Sequence, residues 1–152
     1  MFPELELHEM EYICNSIKSF FIENNLLEVK KIKTENKPGI LHCINNLNFS
    51  VKRFFYLNNF NDIAKKNKRG LHANLNFNEF IVVIQGSIKI KLIDKNSNEE
   101  NVVLNDNETF YISNMKWVEY EILDENTIIL CLVDKDINES ISIFNFEDFK
   151  NM

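Results

Sequence analysis

Short stretches in which apolar and polar residues alternate follow one another along most of the chain. The clearest runs over residues 87–93, Ser-Ile-Lys-Ile-Lys-Leu-Ile, and its period of two predicts a strand with one buried face. The apolar run 80–84, which closes on Gly86, predicts a strand that is buried on both faces. The same rhythm, broken by residues typical of turns, predicts further strands over 26–33, 40–44, 49–57, 99–104, 109–112, 116–122 and 127–133. About nine short strands at this spacing favour an all-β sandwich or barrel over a parallel sheet with crossover helices.

The first part of the chain has a different period. Between residues 4 and 25 the apolar residues recur at steps of three and four, which predicts an amphipathic helix. These residues are Met10, Ile13, Cys14, Ile17, Phe20 and Phe21. We therefore expect an N-terminal helical extension, residues 1–28, followed by a β-domain, residues 29–152. At the other end, residues 145–150 predict a final helical turn.

Composition and charge narrow the class of protein. With 152 residues, 45% of them apolar, the chain is long enough for one globular domain with a sizeable core. The net charge is -6, and no block of lysines and arginines is interleaved with aromatic residues, which argues against nucleic acid as a partner. Three widely spaced cysteines predict reduced thiols. Because we find neither a secretory signal nor an apolar run of about 20 residues, we expect a cytoplasmic protein without a membrane span.

The candidate chemistry lies between residues 68 and 86. Three polar residues, His72, Asn74 and Glu79, occur there in a segment with the composition of strands. Alternation places Gly70, His72 and Asn74 on one face, which brings an imidazole beside a carboxamide. An imidazole is the side chain best suited to exchange protons near neutral pH, although a lone histidine is more often a hydrogen-bonded core residue. Both interpretations of His72 remain open at this point.

The spacing of His72, Asn74, Glu79 and Gly86 resembles the first motif of the cupins, in which the position of Asn74 is normally a second histidine. A wider match extends over residues 33–150. Its most similar segments are Val-Lys-Arg-Phe-Phe-Tyr at 51–56, Arg-Gly-Leu-His-Ala at 69–73, Gln-Gly-Ser at 85–87 and Met-Lys-Trp-Val-Glu at 115–119. These segments resemble the sugar-nucleotide 3,4-ketoisomerases of the WxcM-like cupin family. The resemblance implies a cupin jelly-roll β-barrel or sandwich over residues 29–152, with the N-terminal helix added outside it.

The resemblance also implies an activity and a mode of assembly. Members of that family convert a dTDP-linked 4-keto-6-deoxyhexose into its 3-keto isomer, which supplies an aminotransferase in deoxyaminosugar (surface polysaccharide, lipopolysaccharide) biosynthesis. They are homodimers and use no metal or other cofactor. The residues of this chain support the absence of a metal, because a cupin metal site needs several histidines and two of the expected positions hold Asn74 and Val118.

The resemblance assigns roles to individual residues. His72 becomes the proton carrier of the isomerisation. Tyr56 matches an aromatic position at the barrel mouth, where a phenol donates to an enolate or relays a proton. Arg53 and Arg69 match basic positions of the family, and their forked donors suit the oxygens of a diphosphate.

Four more residues are candidates for substrate binding. Asn74 and Glu79 belong to the cupin motif, but a carboxamide such as that of Asn74 hydrogen-bonds without titrating between pH 5 and 8. Trp117 either stacks on a sugar or base or fills the core as the single tryptophan. Glu119 either orients His72 or is solvated.

Three alternatives to the isomerase stay open. Because of Asn74, the chain is either an enzyme or a catalytically impaired cupin that binds a nucleotide sugar or assists a partner enzyme through its N-terminal helix. A related sugar-nucleotide epimerase is a variant within the enzyme class. A metal-dependent cupin oxygenase is disfavoured by the missing histidines.

Overall fold

The computed structural model describes residues 29–32, 38–44, 50–60 and 68–152. The predicted helix at 4–25 and the predicted extension at 1–28 lie outside these residues. The chain divides into two compact units, Met1–Asn48 and Phe49–Met152. In the first unit, β1 (Val29–Ile32) and β2 (Leu41–Ile44) pair as a two-stranded antiparallel sheet.

The second unit contains two antiparallel sheets. The first has the order β3-β10-β5-β8 and the second the order β11-β4-β9-β6-β7. Their strands are β3 (Arg53–Leu57), β4 (Lys68–Asn74), β5 (Glu79–Gln85), β6 (Ile88–Ile93), β7 (Glu99–Leu104), β8 (Thr109–Ile112), β9 (Lys116–Ile122), β10 (Ile128–Val133) and β11 (Ser142–Ile143). The described part of this unit also contains a short 3-10 helix, Ile137–Glu139, and a helix α1, Phe146–Lys150.

The main core fills the space between the two sheets of the second unit. Along β6, Ile88, Ile90 and Leu92 are buried in this core, whereas Lys89 and Lys91 between them are not. This is the alternation that a pleated strand requires, since successive side chains point to opposite faces. The four-stranded sheet contributes Ile81, Val83, Phe110, Ile112, Ile129 and Cys131 to the same core. The prediction of an all-β, cupin-like β-sandwich is therefore confirmed.

A smaller core lies on the other face of the five-stranded sheet. Trp117 is 4% exposed there, and its ring packs against Phe146 and Phe149 of α1. Asn145 caps this helix by accepting a hydrogen bond from the backbone N–H of Asp148, as residues at this position commonly do. The predicted C-terminal helical turn is confirmed, and it covers a face that would otherwise expose a tryptophan.

Strand β4 departs from the predicted pattern in two ways. It begins at Lys68, inside a stretch whose polarity predicts a loop up to residue 69. It also contains a β-bulge, because the register with β9 shifts between Gly70 and His72. Gly70 and Leu71 both have positive φ angles, +78° and +55°. Such a bulge leaves the sequence pattern of a strand intact while it changes which residues share a face.

No helix in the described part of the chain is long and apolar enough to cross a membrane.

Candidate active site

The connection between β4 and β5 is fixed by asparagines. Asn76 accepts a hydrogen bond from the backbone N–H of Ile141 and donates to the backbone oxygen of Glu139, at 2.9 Å each. Asn78 donates twice to the carboxylate of Asp134, from its backbone N–H at 2.8 Å and its side-chain nitrogen at 2.7 Å. Short polar side chains of this kind satisfy the backbone of a loop that has no strand partner. The loop therefore delivers Glu79 to the start of β5 in one fixed position.

Asn74 and Glu79 form a buried pair at one end of the core. They are 1% and 3% exposed, and Nδ2 of Asn74 donates to Oε2 of Glu79 at 3.2 Å. Burial raises the pKa of the Glu79 carboxyl above its ordinary value of 4.5, because the charged form loses its hydration. Hydrogen bonds from Cys131 and Asn74 and the positive charges of His72 and Arg53 oppose this rise. Four groups are thus coupled to one buried carboxyl.

Two further groups from the core approach Glu79. The thiol of Cys131 donates a hydrogen bond to it, and burial raises the pKa of this thiol well above its usual range. Burial, with a smaller contribution from the charge of Glu79, likewise raises the pKa of the Tyr120 phenol well above 10.0. The Tyr120 hydroxyl is buried and has no hydrogen-bond partner among the described residues. A donor that is left unpaired inside a core is available to a ligand.

His72 lies where this cluster meets the surface. It is half-buried on β4, at the register position opposite Val118, whose side chain belongs to the main core. Its ring centroid is 5.8 Å from that of Phe144, a phenylalanine that is 75% exposed. His72 and Asn74 are two residues apart beyond the bulge, so they share the inner face of β4. The imidazole is therefore the accessible titratable group of the cluster.

Arg53 approaches the cluster from the opposite sheet. It pairs with Val133, which in turn pairs with Glu79, so the three residues form a row across the inner face of that sheet. Its guanidinium lies 5.9 Å from the ring centroid of Phe55 and 5.6 Å from that of Phe77. The Nε and Nη1 atoms are buried and have no hydrogen-bond partner within the described part of the chain. An anionic group would satisfy both.

The structure does not bring Tyr56 to this cluster. Tyr56 pairs with Leu130, whereas Phe55 pairs with the core residue Cys131. Since adjacent residues of a strand point to opposite faces, Tyr56 lies on the outer face of the four-stranded sheet, where it is 65% exposed. The prediction that Tyr56 is a catalytic residue is at odds with this position, and among the described tyrosines it is Tyr120 that faces the main core.

Trp117 and Glu119 also lie on an outer face. The alternation along β9 puts Val118 and Tyr120 in the main core and Trp117 and Glu119 on the other side. Trp117 fills the smaller core, which is the second of its two expected roles. Glu119 accepts a hydrogen bond from Lys68 at 3.4 Å instead of orienting His72.

Arg69 and Gly70 lie on β4, the strand that carries His72. Arg69 is exposed, at the register position opposite Tyr120. Gly70 pairs with Glu119 and His72 pairs with Val118, so the bulge separates Gly70 from the face that His72 and Asn74 share. The prediction that all three share one face is therefore wrong for Gly70.

Neither Tyr120 nor Cys131 is among the site residues predicted from the sequence, and Cys131 was expected only to be a reduced thiol. The alternation of Val118, Tyr120 and Ile122 against two glutamates was the signal that Tyr120 faces inward. No such signal exists for the contact between Cys131 and Glu79, because it joins two strands that lie about 50 residues apart in the sequence. Across the described residues, no three His, Cys, Asp or Glu side chains come together in a group that could hold a metal ion.

Comparisons with known proteins agree with this architecture. WlaRA from Campylobacter jejuni, a TDP-fucose-3,4-ketoisomerase, is 28% identical, with a TM-score of 0.67 over 82% of this chain and 91% of that one. Two structures at 24% identity share the fold. QdtA from Thermoanaerobacterium thermosaccharolyticum, a sugar 3,4-ketoisomerase solved with TDP, has a TM-score of 0.68 over 82% and 90% of the two chains. WlaRB from Campylobacter jejuni, a TDP-quinovose 3,4-ketoisomerase, has a TM-score of 0.69 over 83% and 95%.

No curated protein matches the sequence. A family model does: the one described as FdtA, WxcM-like, C-terminal, matches residues 23–152, which begins before the expected limit at residue 33. This match covers most of the chain, and the chain therefore belongs to the WxcM-like family.

Proposed function

We propose that this protein is a sugar-nucleotide 3,4-ketoisomerase that converts a dTDP-4-keto-6-deoxyhexose into its 3-keto isomer. The observation that carries the proposal is the half-buried imidazole of His72, which lies over a buried polar cluster in a domain of this family. WlaRA, at 28% identity, is named as a ketoisomerase of a TDP-sugar. A single accessible proton carrier beside a fixed polar cluster is suited to moving a proton between adjacent carbons.

The reaction needs one proton carrier on the carbon side. His72 takes the C3 proton, and the electron pair of that C–H bond forms the C3=C4 double bond while the negative charge develops on O4. His72 then returns its proton to C4, and a bound water carries a proton from the C3 hydroxyl to O4 so that the new ketone forms at C3. Hydrogen-bond donors aimed at the enediolate stabilise it most where water is excluded. The Tyr120 hydroxyl, which has no partner among the described residues, supplies such a donor on the inner face.

The arginines provide the binding energy for the nucleotide part. Arg53 has two buried donors without a partner among the described residues, and Arg69 has an exposed guanidinium on the strand that carries His72. Planar guanidinium groups bind phosphate oxygens through paired hydrogen bonds. Arg53 and Arg69 therefore hold the diphosphate in the proposed complex.

We also propose an oligomeric state, a location in the cell and a pathway. We take the protein to be a cytoplasmic homodimer that acts in deoxyaminosugar biosynthesis for a surface polysaccharide. Support for the dimer comes from β3, which among the described strands pairs only with β10 and exposes Phe54 and Tyr56. Sedimentation equilibrium should give twice the mass of one chain, and a monomer over the whole concentration range would contradict the dimer.

Product identification by NMR tests the activity. The purified protein is incubated with a panel of TDP-, UDP- and GDP-linked 4-keto-6-deoxy sugars, and the expected product is a 3-keto isomer from one of the TDP sugars. The variant His72→Asn should give no product, whereas Glu99→Gln, which changes an exposed glutamate paired with Lys91, should leave the activity intact. A product changed at C5 would indicate an epimerase, and no product from any member of the panel would contradict the proposal.

A second candidate function is a nucleotide-sugar binding protein without turnover. Asn74 favours it, because this residue stands where the family normally has a histidine and its amide is already bonded to Glu79. Calorimetry that shows binding of a TDP sugar, without isomerisation by the native protein but with activity in Asn74→His, would establish this candidate. Turnover by the native protein would exclude it.

A further inference from the structure

Glu79 is an ionisable group of the core, and it has no role in the proposed transfer of a proton from C3 to C4. Glu79 is 3% exposed, so it cannot contact a bound sugar as freely as His72 does. A carboxylate in this position still acts on its neighbours, because attraction between charges is several times stronger in a protein interior than in water.

Geometry selects His72. Glu79 begins β5 on the inner face of one sheet, and His72 and Asn74 share the inner face of β4 in the other. The hydrogen bond from Asn74 to Oε2 of Glu79, at 3.2 Å, joins the two sheets at this end of the core. Asn74 cannot accept a proton in the physiological range. The ionisable partner of His72 in this cluster therefore comes from β5 and not from β4.

Building on the proposed isomerase, we propose that Glu79 is the positioning residue of His72, a buried carboxylate that stabilises the imidazolium formed when His72 takes the C3 proton. The C3–H bond breaks, an N–H bond forms on His72, and the released electron pair enters the enediolate. The carboxylate of Glu79 stays charged during this step. It is therefore a counter-ion for the imidazolium, and it neither takes up nor releases a proton. When His72 returns the proton to C4, both groups regain their starting states.

Other charged groups around the pair do not replace Glu79. From β3 Arg53 faces the same end of the core, from β9 the Tyr120 phenol, and from β10 the Cys131 thiol. Arg53 is positive and cannot stabilise an imidazolium, and burial keeps the phenol and the thiol in their neutral forms. Glu119, the other carboxyl expected near His72, lies on the opposite face of its sheet with Lys68. Glu79 is therefore the one anion among the described groups of this cluster.

Kinetics with Glu79→Gln test the inference. Gln has the size and shape of Glu but carries no charge, so we expect kcat to fall by about 100-fold with little change in KM. The part of the acid limb of the kcat profile that comes from protonation of Glu79 should disappear. Glu79→Asp, which keeps the charge, should retain more activity than Glu79→Gln, and Glu99→Gln serves as a matched control on the surface. Unchanged kcat in Glu79→Gln, or an equal loss in Glu79→Asp and Glu79→Gln, would overturn the inference.

A second measurement does not depend on turnover. The carboxyl carbon of Glu79, assigned by comparison with Glu79→Gln, is followed by ¹³C NMR as the pH is raised, in the native protein and in His72→Asn. Because the positive charge of His72 lowers the pKa of Glu79, removing the imidazole should move the titration of Glu79 to higher pH. An unchanged titration would overturn the coupling even if the protein isomerises sugars. A shifted titration in a protein that acts on no sugar would instead contradict the proposed function alone.

Discussion

Glu79 is a carboxyl group whose burial works against the stability of the domain. It is 3% exposed, and its close polar contacts are the amide of Asn74 and the thiol of Cys131. A charged carboxylate in such a place costs free energy that neutral hydrogen bonds offset only in part. Carboxyl groups with a pKa perturbed by burial are concentrated at functional sites, which agrees with the proposed action of Glu79 on His72.

The first prediction concerns stability as a function of pH. Because the folded pKa of Glu79 is raised above its ordinary 4.5, the folded state favours the protonated form, and stability is lost as the pH rises from about 4.5 towards the folded pKa. Urea unfolding should therefore show a free energy of unfolding that falls over this range in the native protein. Glu79→Gln should lack this part of the decline and be the more stable protein above it. A variant that is less stable at every pH would mean that Glu79 has a purely structural role.

The second prediction concerns Tyr120. Its hydroxyl is buried without a partner among the described residues, so it pays for its desolvation and gains no hydrogen bond. Tyr120→Phe should raise the free energy of unfolding of the ligand-free protein by about 1 kcal/mol. The same variant should bind the sugar nucleotide more weakly if the hydroxyl donates to it. A clear loss of stability in the ligand-free variant would show that the hydroxyl has a partner.

At the scale of the element, the bulge in β4 decides where His72 points. Gly70 has a φ angle of +78°, and a Cβ atom there would lie 2.7 Å from the backbone oxygen of Val118. Leu71 occupies the extra position of the bulge, and beyond it His72 faces the core. Gly70 therefore allows the bulge to form, and the bulge turns the imidazole of His72 inward.

The third prediction uses two glycines as a matched pair. Gly39 has a similar φ angle of +87° but no atom within 4 Å of an added Cβ. Gly39→Ala should therefore cost about 1 kcal/mol, the penalty for a left-handed alanine. Gly70→Ala should cost at least about 3 kcal/mol, because the steric clash with Val118 adds to it. Equal losses in urea unfolding would show that the bulge relaxes without strain.

The elements also show how far the sequence could predict the molecule. Strict alternation located β6 and β9, because one face of each is apolar and the other charged. In β3 the sequence Arg-Phe-Phe-Tyr-Leu places aromatic side chains on both faces of the strand. The pattern therefore does not indicate that Tyr56 points outward. Trp117 occupies a position on the polar face of β9 because α1 covers it, and this contact depends on the tertiary fold.

At the scale of the whole molecule, the cluster depends on both sheets of the second unit. His72 and Asn74 come from the five-stranded sheet, and Glu79 and Arg53 from the four-stranded one. The resemblance to the family predicted the fold and made His72 a candidate, but it did not predict that Tyr120 and Cys131 would lie in the same cluster. Those two lie in strands with ordinary core patterns, and only the packing of the sheets makes them neighbours of Glu79.

Solvent exchange at C3 is the most direct test of the proposed reaction, because His72 must remove that proton from a 4-keto sugar. The native protein and His72→Asn are each incubated with TDP-4-keto-6-deoxyglucose and GDP-4-keto-6-deoxymannose in heavy water, and the sugars are followed by ¹H NMR. We expect deuterium at C3 and a 3-keto product with the native protein for at least one of the two sugars, and neither with His72→Asn. The proposed role of His72 would be contradicted if the folded native protein left the C3 proton of both sugars in place. It would also be contradicted if the His72→Asn variant exchanged that proton as fast as the native protein.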